Sequence, residues 1–230
     1  MSFAVVFGAI IQGSLGFGMN LMVAPLLGLL YPELLPSGAI LLALATAALV
    51  LARNLRHLQP TALGWAVLGR IPGSVVGAFL VLVASQAQLG ILSGLSVLVA
   101  VAILSLGRRL TPTRRTLTTA GAISGVMGTA TAIGGPPMAL VLMEQNPVNL
   151  RATMSGFLVF GTLLSTLLLS LVGKLTLNQA QQIATLIPAL VLGTALSGVV
   201  APRLDPAWTR KAVLGVSTLS ALALLAKSTI

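Results

Sequence analysis

The sequence predicts an all-α integral membrane protein built from two related halves of four apolar segments each. Of the 230 residues, 57% are hydrophobic and only 7% are charged, whereas a soluble domain carries about 25% charged residues. Polar and charged breaks divide the chain into eight apolar segments, and similar motifs recur in the first four and the last four. A membrane-spanning helix needs about 20 mostly apolar residues. The chain is therefore long enough for a single multi-pass membrane domain.

The apolar segments define two repeats and a connecting loop. Repeat 1 comprises residues 1–106, repeat 2 comprises 116–230, and a basic loop at 107–115 joins them. The segments run over 3–31, 36–52, 61–84, 88–106, 116–143, 150–173, 178–201 and 209–226.

Matching motifs relate the two repeats. Residues 12–16 (Gln-Gly-Ser-Leu-Gly) align with 124–128 (Ser-Gly-Val-Met-Gly) at an offset of 112, and Pro72 aligns with Pro188 at an offset of 116. The matches keep their order along the chain, and the drift in offset is what loop insertions produce. Internal repeats of this kind are typical of secondary transporters.

Segments 1 and 5 differ from the others, because each is nearly 30 residues long with a glycine-rich centre. Segment 5 also contains Pro136-Pro137, which cannot lie inside a regular helix. Two structures fit this pattern. One is a long, kinked and tilted helix, and the other is a re-entrant hairpin of two half-helices.

The distribution of basic residues favours the hairpins. If all eight segments cross, eight basic residues lie on one side and four on the other. If segments 1 and 5 re-enter, ten lie on one side and only Lys174 and Lys227 lie opposite. The second arrangement agrees better with the positive-inside rule. Each half then has three crossings, the halves have opposite orientation, both termini lie outside, and loop 107–115 is cytoplasmic.

The hairpin tips are the predicted substrate site. The start of a half-helix presents free N–H groups and the positive end of the helix dipole, which together bind anions. A hydroxyl at a tip can instead serve helix packing or bond to the backbone. A buried amide is costly unless it is paired. The candidate residues are Gln12, Gly13, Ser14, Gly16 and Asn20 in the first tip, and Ser124, Gly128, Thr129, Thr131, Gly134 and Gly135 in the second.

Arg70 is the most informative single residue. It lies nine residues into segment 61–84, which is roughly 13 Å at the helical rise and near mid-membrane. Charged side chains at that depth are rare and usually functional, and a planar guanidinium suits an oxyanion. The alternative is that the helix begins later and Arg70 reaches the interface beside Trp65.

Several classes of function are excluded by composition. The chain has no cysteine and one histidine, and its three acids lie at segment ends or in loops. We therefore expect no metal site, no cofactor and no enzyme activity, although backbone carbonyls at a broken helix could hold sodium. The net charge of +10 is spread over short loops, so nucleic acid is not an expected partner.

The glycine motifs resemble those of a known family. Residues 13–18 (Gly-Ser-Leu-Gly-Phe-Gly), and residues 125–137 with their Gly-Gly-Pro-Pro ending, are similar to the TauE/SafE-type sulfite exporters, and the resemblance covers nearly the whole chain. Met19-Asn20 departs from the family pattern, where many members have more glycine. The resemblance implies a bacterial inner-membrane carrier of sulfite, a sulfonate or a related anion.

The leading hypothesis is a secondary transporter that exports a small sulfur-containing anion by alternating access. A passive anion channel with the same lining residues is the alternative, and a non-transporting membrane scaffold is a third. The surrounding lipid is the other expected partner, and the sequence leaves the oligomeric state open, with a homodimer as one option.

Overall fold

The structure is a computed structural model that describes residues 1–105, 110–200 and 206–228, with the backbone alone for 206–210. The described part of the chain is helical and contains no strand. Arg108, Arg109, Arg203 and Asp205 lie outside the described residues. The helices are α1 (Ser2–Leu15), α2 (Met19–Leu30), α3 (Ser37–Asn54), α4 (Pro60–Val83), α5 (Gln86–Ser105), α6 (Arg114–Thr131), α7 (Gly135–Leu142), α8 (Pro147–Leu171), α9 (Leu177–Ala184), α10 (Ile187–Val200) and α11 (Pro206–Ser228).

Five of these helices are long and apolar enough to cross a membrane, namely α3 with the turn that follows it, α4, α5, α8 and α11. Helices α9 and α10 provide a sixth crossing if they are taken as one span bent by 49°. Apolar side chains on α4 such as Leu68, Val75 and Phe79 are exposed, as expected for a surface in contact with lipid. The prediction of an all-α, multi-pass membrane protein is confirmed.

The bend between α9 and α10 was not expected from the apolar pattern, which predicts a single segment over 178–201. Pro188 explains its position. A proline has no N–H for the carbonyl four residues earlier, and its ring clashes with that carbonyl. That residue is Ala184, where α9 ends.

The α1/α2 pair folds back on itself. Gly8 packs against Met19 and Val23, because a Cβ at Gly8 would lie 2.8 Å from a Met19 side-chain carbon and 3.2 Å from one of Val23. In a continuous helix, fifteen residues would separate Gly8 from Val23 by about 22 Å. The pair is therefore a helical hairpin, here called hairpin 1.

The α6/α7 pair also folds back. The N–H of Leu110, just before α6, donates to the carbonyl of Leu140 near the end of α7 at 3.1 Å. Gly134 at the start of α7 lies against Ser124 and Gly128 of α6. This second helical hairpin is called hairpin 2.

The open ends of the two hairpins lie beside different basic residues. Hairpin 1 begins and ends at the lysine face, where Lys227 Nζ donates to the Leu29 carbonyl at 2.7 Å and Ser37 Oγ donates to the Lys174 carbonyl at 2.7 Å. Hairpin 2 begins and ends at the arginine face, where Arg114 lies over the Trp65 ring at 5.1 Å.

Small residues let helix α4 lie directly on α6. A Cβ at Gly69 or Gly73 would collide with the carbonyl of Thr118 or Ala122, respectively. Close backbone approach through glycines is a common way for helices to pack in lipid. On the other side of the bundle, α10 packs on α1 with Gly193 against Val6 and Ala9. Hairpin 2 is thereby held by the long helix α4, and hairpin 1 is held by α10 of the bent α9/α10 pair.

Candidate anion site between the hairpin tips

The two hairpin tips meet in the middle of the bundle. Asn20 Nδ2, at the start of α2, donates to the carbonyl of Ala132 at the end of α6 over 2.9 Å. Phe17 packs against Gly135, where a Cβ would lie 3.2 Å from the Phe17 Cβ. A cavity of about 30 Å³ lies at this junction, which is room for about two waters. Its walls are formed by Gln12, Phe17, Gly18, Asn20, Leu21, Ala43, Arg70, Gly128, Ala132, Ile133, Gly134, Gly135, Pro136, Leu158 and Thr162.

Unusual backbone conformations create both tips. Helix α1 ends at Gly16, whose φ of +85° lets its N–H bond back to the Gln12 carbonyl at 2.7 Å. Helix α2 follows Gly18, whose φ is +113°. Helix α6 ends at Ala132 with φ +65°, an uncommon conformation for a residue with a side chain. Pro136 and Pro137 then lie in the first turn of α7, where their missing N–H groups cost little.

Both half-helices that follow the breaks point their N-termini at the cavity. Gly18 and Asn20, at the start of α2, line it, and so do Gly134 and Gly135 at the start of α7. The first N–H groups of a helix have no partner within that helix, and the dipole adds partial positive charge there. The tips therefore favour a negatively charged ligand.

Arg70 supplies a full positive charge to the same cavity. Its side chain is 1% exposed and is among the largest fully buried side chains of the described residues. Its Nη1 donates to the Ser124 carbonyl at 2.8 Å, and the guanidinium lies over the Phe157 ring at 5.2 Å. The alternative position, at the interface beside Trp65, is occupied by Arg114 instead.

Three glycines make the space for the guanidinium. A Cβ at Gly128, Gly134 or Gly161 would lie 2.5 Å from one of its nitrogens. Two of these glycines belong to hairpin 2 and the third belongs to α8. Any larger residue at these positions would displace the charge from the tip.

No carboxylate of the described residues is buried with Arg70. Glu33 and Glu144 are both exposed, and Asp205 lies outside the described part of the chain. A buried charge is costly unless a partner compensates it. The arginine and the two helix N-termini thus leave an excess of positive charge that a bound anion would neutralise.

Two amide side chains of hairpin 1 complete the polar wall. Gln12 is 2% exposed, and its Nε2 has no hydrogen-bond partner among the described residues. Asn20 uses its Nδ2 for the carbonyls of Ala39 and Ala132, both at 2.9 Å. Its Oδ1 is buried without a partner in the described structure. Both residues line the cavity, and each has one buried amide atom without a partner among the described residues, a donor in Gln12 and an acceptor in Asn20.

Half of the predicted site residues line this cavity. They are Gln12, Asn20, Arg70, Gly128, Gly134 and Gly135.

The remaining predicted residues lie nearby in other contacts. Ser14 Oγ donates to the Ile10 carbonyl of its own helix at 2.7 Å, and Thr131 Oγ1 does the same to Met127 at 2.7 Å. Thr129 Oγ1 shares a hydrogen bond of 2.7 Å with Ser165 Oγ of α8. In this conformation, these three hydroxyls bond to the backbone of their own helix or to a neighbouring helix. That is the alternative to a substrate role that the sequence leaves open for each hydroxyl.

Two glycines and a serine account for the rest. Gly13 packs on Ser197 of α10, and Gly16 packs on Arg151 of α8. The Ser124 carbonyl holds Arg70, while its hydroxyl has no partner among the described residues. A substrate role for all six residues outside the cavity wall stays a prediction.

Sequence reasoning missed the contribution of α3 and α8. Ala43, Leu158 and Thr162 line the cavity, and Phe157 packs on the guanidinium. These residues lie in ordinary apolar segments without a glycine motif or a charge. Only their long-range packing against the tips brings them to the site, so no local signal identifies them.

The fold is that of a multi-pass helical membrane protein, and its site holds an arginine between two helix N-termini without a buried carboxylate among the described residues. Such a site suits an anion. Comparison with known proteins specifies the class. The family model of the sulfite exporter TauE/SafE matches residues 1–224, and the chain belongs to this family of membrane exporters, which are not enzymes.

A curated relative from Cupriavidus necator is described as a probable sulfite/organosulfonate exporter TauE. It is 26% identical over 220 residues, which cover 91% of this chain and 86% of the relative. No solved structure matches the chain.

Proposed function

We propose that this protein is a secondary transporter that exports a small sulfur-containing anion, such as sulfite or an organosulfonate, across the inner membrane of a bacterium. The observation that carries this proposal is Arg70, which is buried at the meeting point of two helix N-termini without a buried carboxylate among the described residues. Membership of the exporter family and the name of the Cupriavidus necator relative support the sulfur chemistry and the outward direction.

The anion binds between the hairpin tips. Its oxygens accept from the Arg70 guanidinium, from Gln12 Nε2, from the N–H groups at the start of α2 and from the N–H of Gly135, since Pro136 and Pro137 after it have none. A guanidinium presents a planar set of donors that matches an oxyanion, and the same charge disfavours a cation. The bond from Asn20 to the Ala132 carbonyl joins the two tips and keeps their donors close together.

The two halves of the transporter form an inverted repeat. Hairpin 1 enters from the lysine face, which is the outside, and hairpin 2 enters from the arginine face, which is the cytoplasm. This orientation agrees with the positive-inside rule and puts both termini outside. Repeat 1 comprises residues 1–106 and repeat 2 comprises 116–230, with the cytoplasmic loop 107–115 between them.

Alternating access follows from this arrangement. The cavity of about 30 Å³ is narrow, so an anion reaches it when one hairpin moves away from the other. Opening on the arginine face admits the anion from the cytoplasm, and opening on the lysine face releases it. Because both hairpins contribute to one site, the anion crosses without a continuous pore.

Ligand-induced thermal stabilisation of the purified protein tests the proposal. The ligands are sulfite, sulfate, sulfoacetate, taurine, phosphate and acetate. A ligand at 100 times its dissociation constant adds about 2.7 kcal/mol to the free energy of unfolding, and we expect this for sulfite or sulfoacetate. Stabilisation by cations but by no sulfur anion would refute the proposal.

Substitution of Arg70 identifies the site in the same assay. We expect Arg70→Ala to abolish stabilisation by the anion, and Arg56→Ala, which alters an exposed arginine, to leave it intact. Arg70→Lys keeps the charge without the planar donor set, and we expect an intermediate result. Counterflow of labelled sulfite into liposomes then distinguishes a carrier from a channel, which shows none, and from a scaffold, which shows no flux.

A further inference from the structure

We propose that the site prefers an anion that itself carries a hydrogen, so that the protein takes hydrogensulfite in preference to fully deprotonated sulfite or to a sulfonate headgroup without such a hydrogen. This inference rests on the proposed function and specifies the chemical form of its substrate. It follows from the amide of Asn20, which is 7% exposed and lines the cavity between the tips.

The orientation of that amide is fixed by its partners. Nδ2 donates to the Ala39 carbonyl and to the Ala132 carbonyl, each at 2.9 Å. The reverse orientation would place an amide oxygen against two carbonyl oxygens, none of which can donate. Oδ1 is therefore the amide atom without a partner, and it is a hydrogen-bond acceptor that is buried beside the cavity.

An acceptor at an anion site selects among anions. The charged group of the cavity, the Arg70 guanidinium, is a donor, and so are Gln12 Nε2 and the N–H groups at the start of α2. The Thr162 hydroxyl, which also lines the cavity, already donates to the Leu158 carbonyl at 2.7 Å. A fully deprotonated oxyanion satisfies these donors, but it turns a lone pair toward Asn20 Oδ1 and leaves that acceptor unpaired. An oxyanion with one hydrogen satisfies the donors and donates to Oδ1, which avoids a buried unpaired acceptor.

A cation is a poorer partner for Oδ1 than a hydrogen of the ligand. Arg70 and the N-termini of α2 and α7 surround the same cavity with positive charge, which repels a metal ion. Among the described residues, Arg70 is the only titratable side chain that lines the cavity. The dependence of binding on pH should therefore report the protonation of the ligand.

The test is the affinity of the wild-type protein for total sulfite at pH values below and above the second pKa of sulfurous acid. Methanesulfonate, which keeps its charge and has no acidic hydrogen, is the control at each pH. If only hydrogensulfite binds, the apparent dissociation constant for sulfite rises about tenfold per pH unit above that pKa. We expect methanesulfonate to bind more weakly and to show no such change.

Other results would overturn the inference in distinguishable ways. Equal sulfite affinity at both pH values, or tighter binding of methanesulfonate, would show that no ligand hydrogen is needed while the proposed function stands. A requirement for sodium at constant pH would assign Oδ1 to a cation. Failure of every sulfur anion to bind at any pH would refute the proposed function itself.

A variant provides a second measurement. Asn20→Leu removes the acceptor, and we expect the tenfold change per pH unit to become smaller in this variant. The substitution also leaves the carbonyls of Ala39 and Ala132 without their donor. The wild-type titration is therefore decisive if the variant does not fold, and a folded variant with an unchanged pH dependence contradicts the inference.

Discussion

The tip between α1 and α2 and the tip between α6 and α7 line the same cavity with different groups. Hairpin 2 contributes glycines and backbone, and its charge comes from Arg70 of α4, which packs on it. Hairpin 1 contributes the amide side chains of Gln12 and Asn20. One tip therefore supplies space for a charge, and the other supplies hydrogen bonds of fixed direction.

The helices that pack on the two hairpins also differ, because only one of them carries a charged side chain at the site. Helix α4 is unbroken despite Pro72, and Arg70 extends from it into the site. On the other side, α9 and α10 are bent, and at the alignment offset of 116 the counterpart of Arg70 is Leu186. If the halves arose by duplication, only one of them kept or gained the charge. Charge recognition should then fail through changes around Arg70 and only weaken through changes in hairpin 1.

Among the substitutions that keep Arg70, Gly161→Ala should have the largest effect on binding. The bond to the Ser124 carbonyl holds the Arg70 guanidinium beside the anion. The new Cβ would lie 2.5 Å from Arg70 Nε, so the guanidinium must shift away from that position. A hydrogen bond to a charged group contributes about 2 kcal/mol, which corresponds to about a thirtyfold loss of sulfite affinity. Isothermal titration of the purified variant measures this loss.

The control for Gly161→Ala is Gly64→Ala on the helix that carries Arg70. No atom lies within 4 Å of a Cβ at Gly64, and alanine favours a helix by about 0.5–1 kcal/mol over glycine. We expect the control to bind normally and to be slightly more stable. Normal sulfite affinity in Gly161→Ala would mean that the guanidinium does not contact the anion.

Gln12→Leu should have a smaller effect on binding and an opposite effect on stability. Leucine has a similar size and removes a buried amide whose Nε2 is unpaired, so the free energy of unfolding should stay the same or rise. The anion loses one neutral hydrogen bond of about 1 kcal/mol, or about fivefold in affinity. Thermal unfolding with and without sulfite measures both quantities.

Gln181→Leu provides the matched control, because Gln181 is exposed on α9. It should change neither the affinity nor the response to sulfite. A loss in Gln12→Leu as large as that in Gly161→Ala would contradict the division between a charge-bearing tip and a hydrogen-bonding tip.

Hydropathy and glycine placement predicted the helical segments well, because both reflect local physics. Apolar length identifies spans, and the breaks at Gly16 and Ala132 fall within the glycine-rich centres. The bend at Pro188 was missed, because a proline alone does not determine whether a helix breaks. Pro72 at the aligned position lies inside an unbroken helix. The same residue type thus gives different backbones according to its surroundings.

The site could be predicted where polarity conflicts with an apolar segment. Arg70, Gln12 and Asn20 are conspicuous in sequence because burial is costly for them, and all three line the cavity. Hydroxyls give no such signal, since a serine or threonine can bond to its own helix. Sequence alone could not separate Thr162, which lines the cavity, from Thr129, which does not.

Thr129→Val should have the smallest effect on binding and tests that last distinction. The substitution removes the 2.7 Å hydrogen bond between Thr129 and Ser165, at a cost of about 1 kcal/mol in the free energy of unfolding. Ser165 keeps its bond to the Gly161 carbonyl at 2.8 Å, so α8 stays close to its place beside the guanidinium. Sulfite affinity should therefore equal that of the exposed control Thr119→Val. A clear loss of affinity would instead mean that Thr129 reaches the anion in another conformation of hairpin 2, and the charge-bearing tip would then also use a side chain of its own.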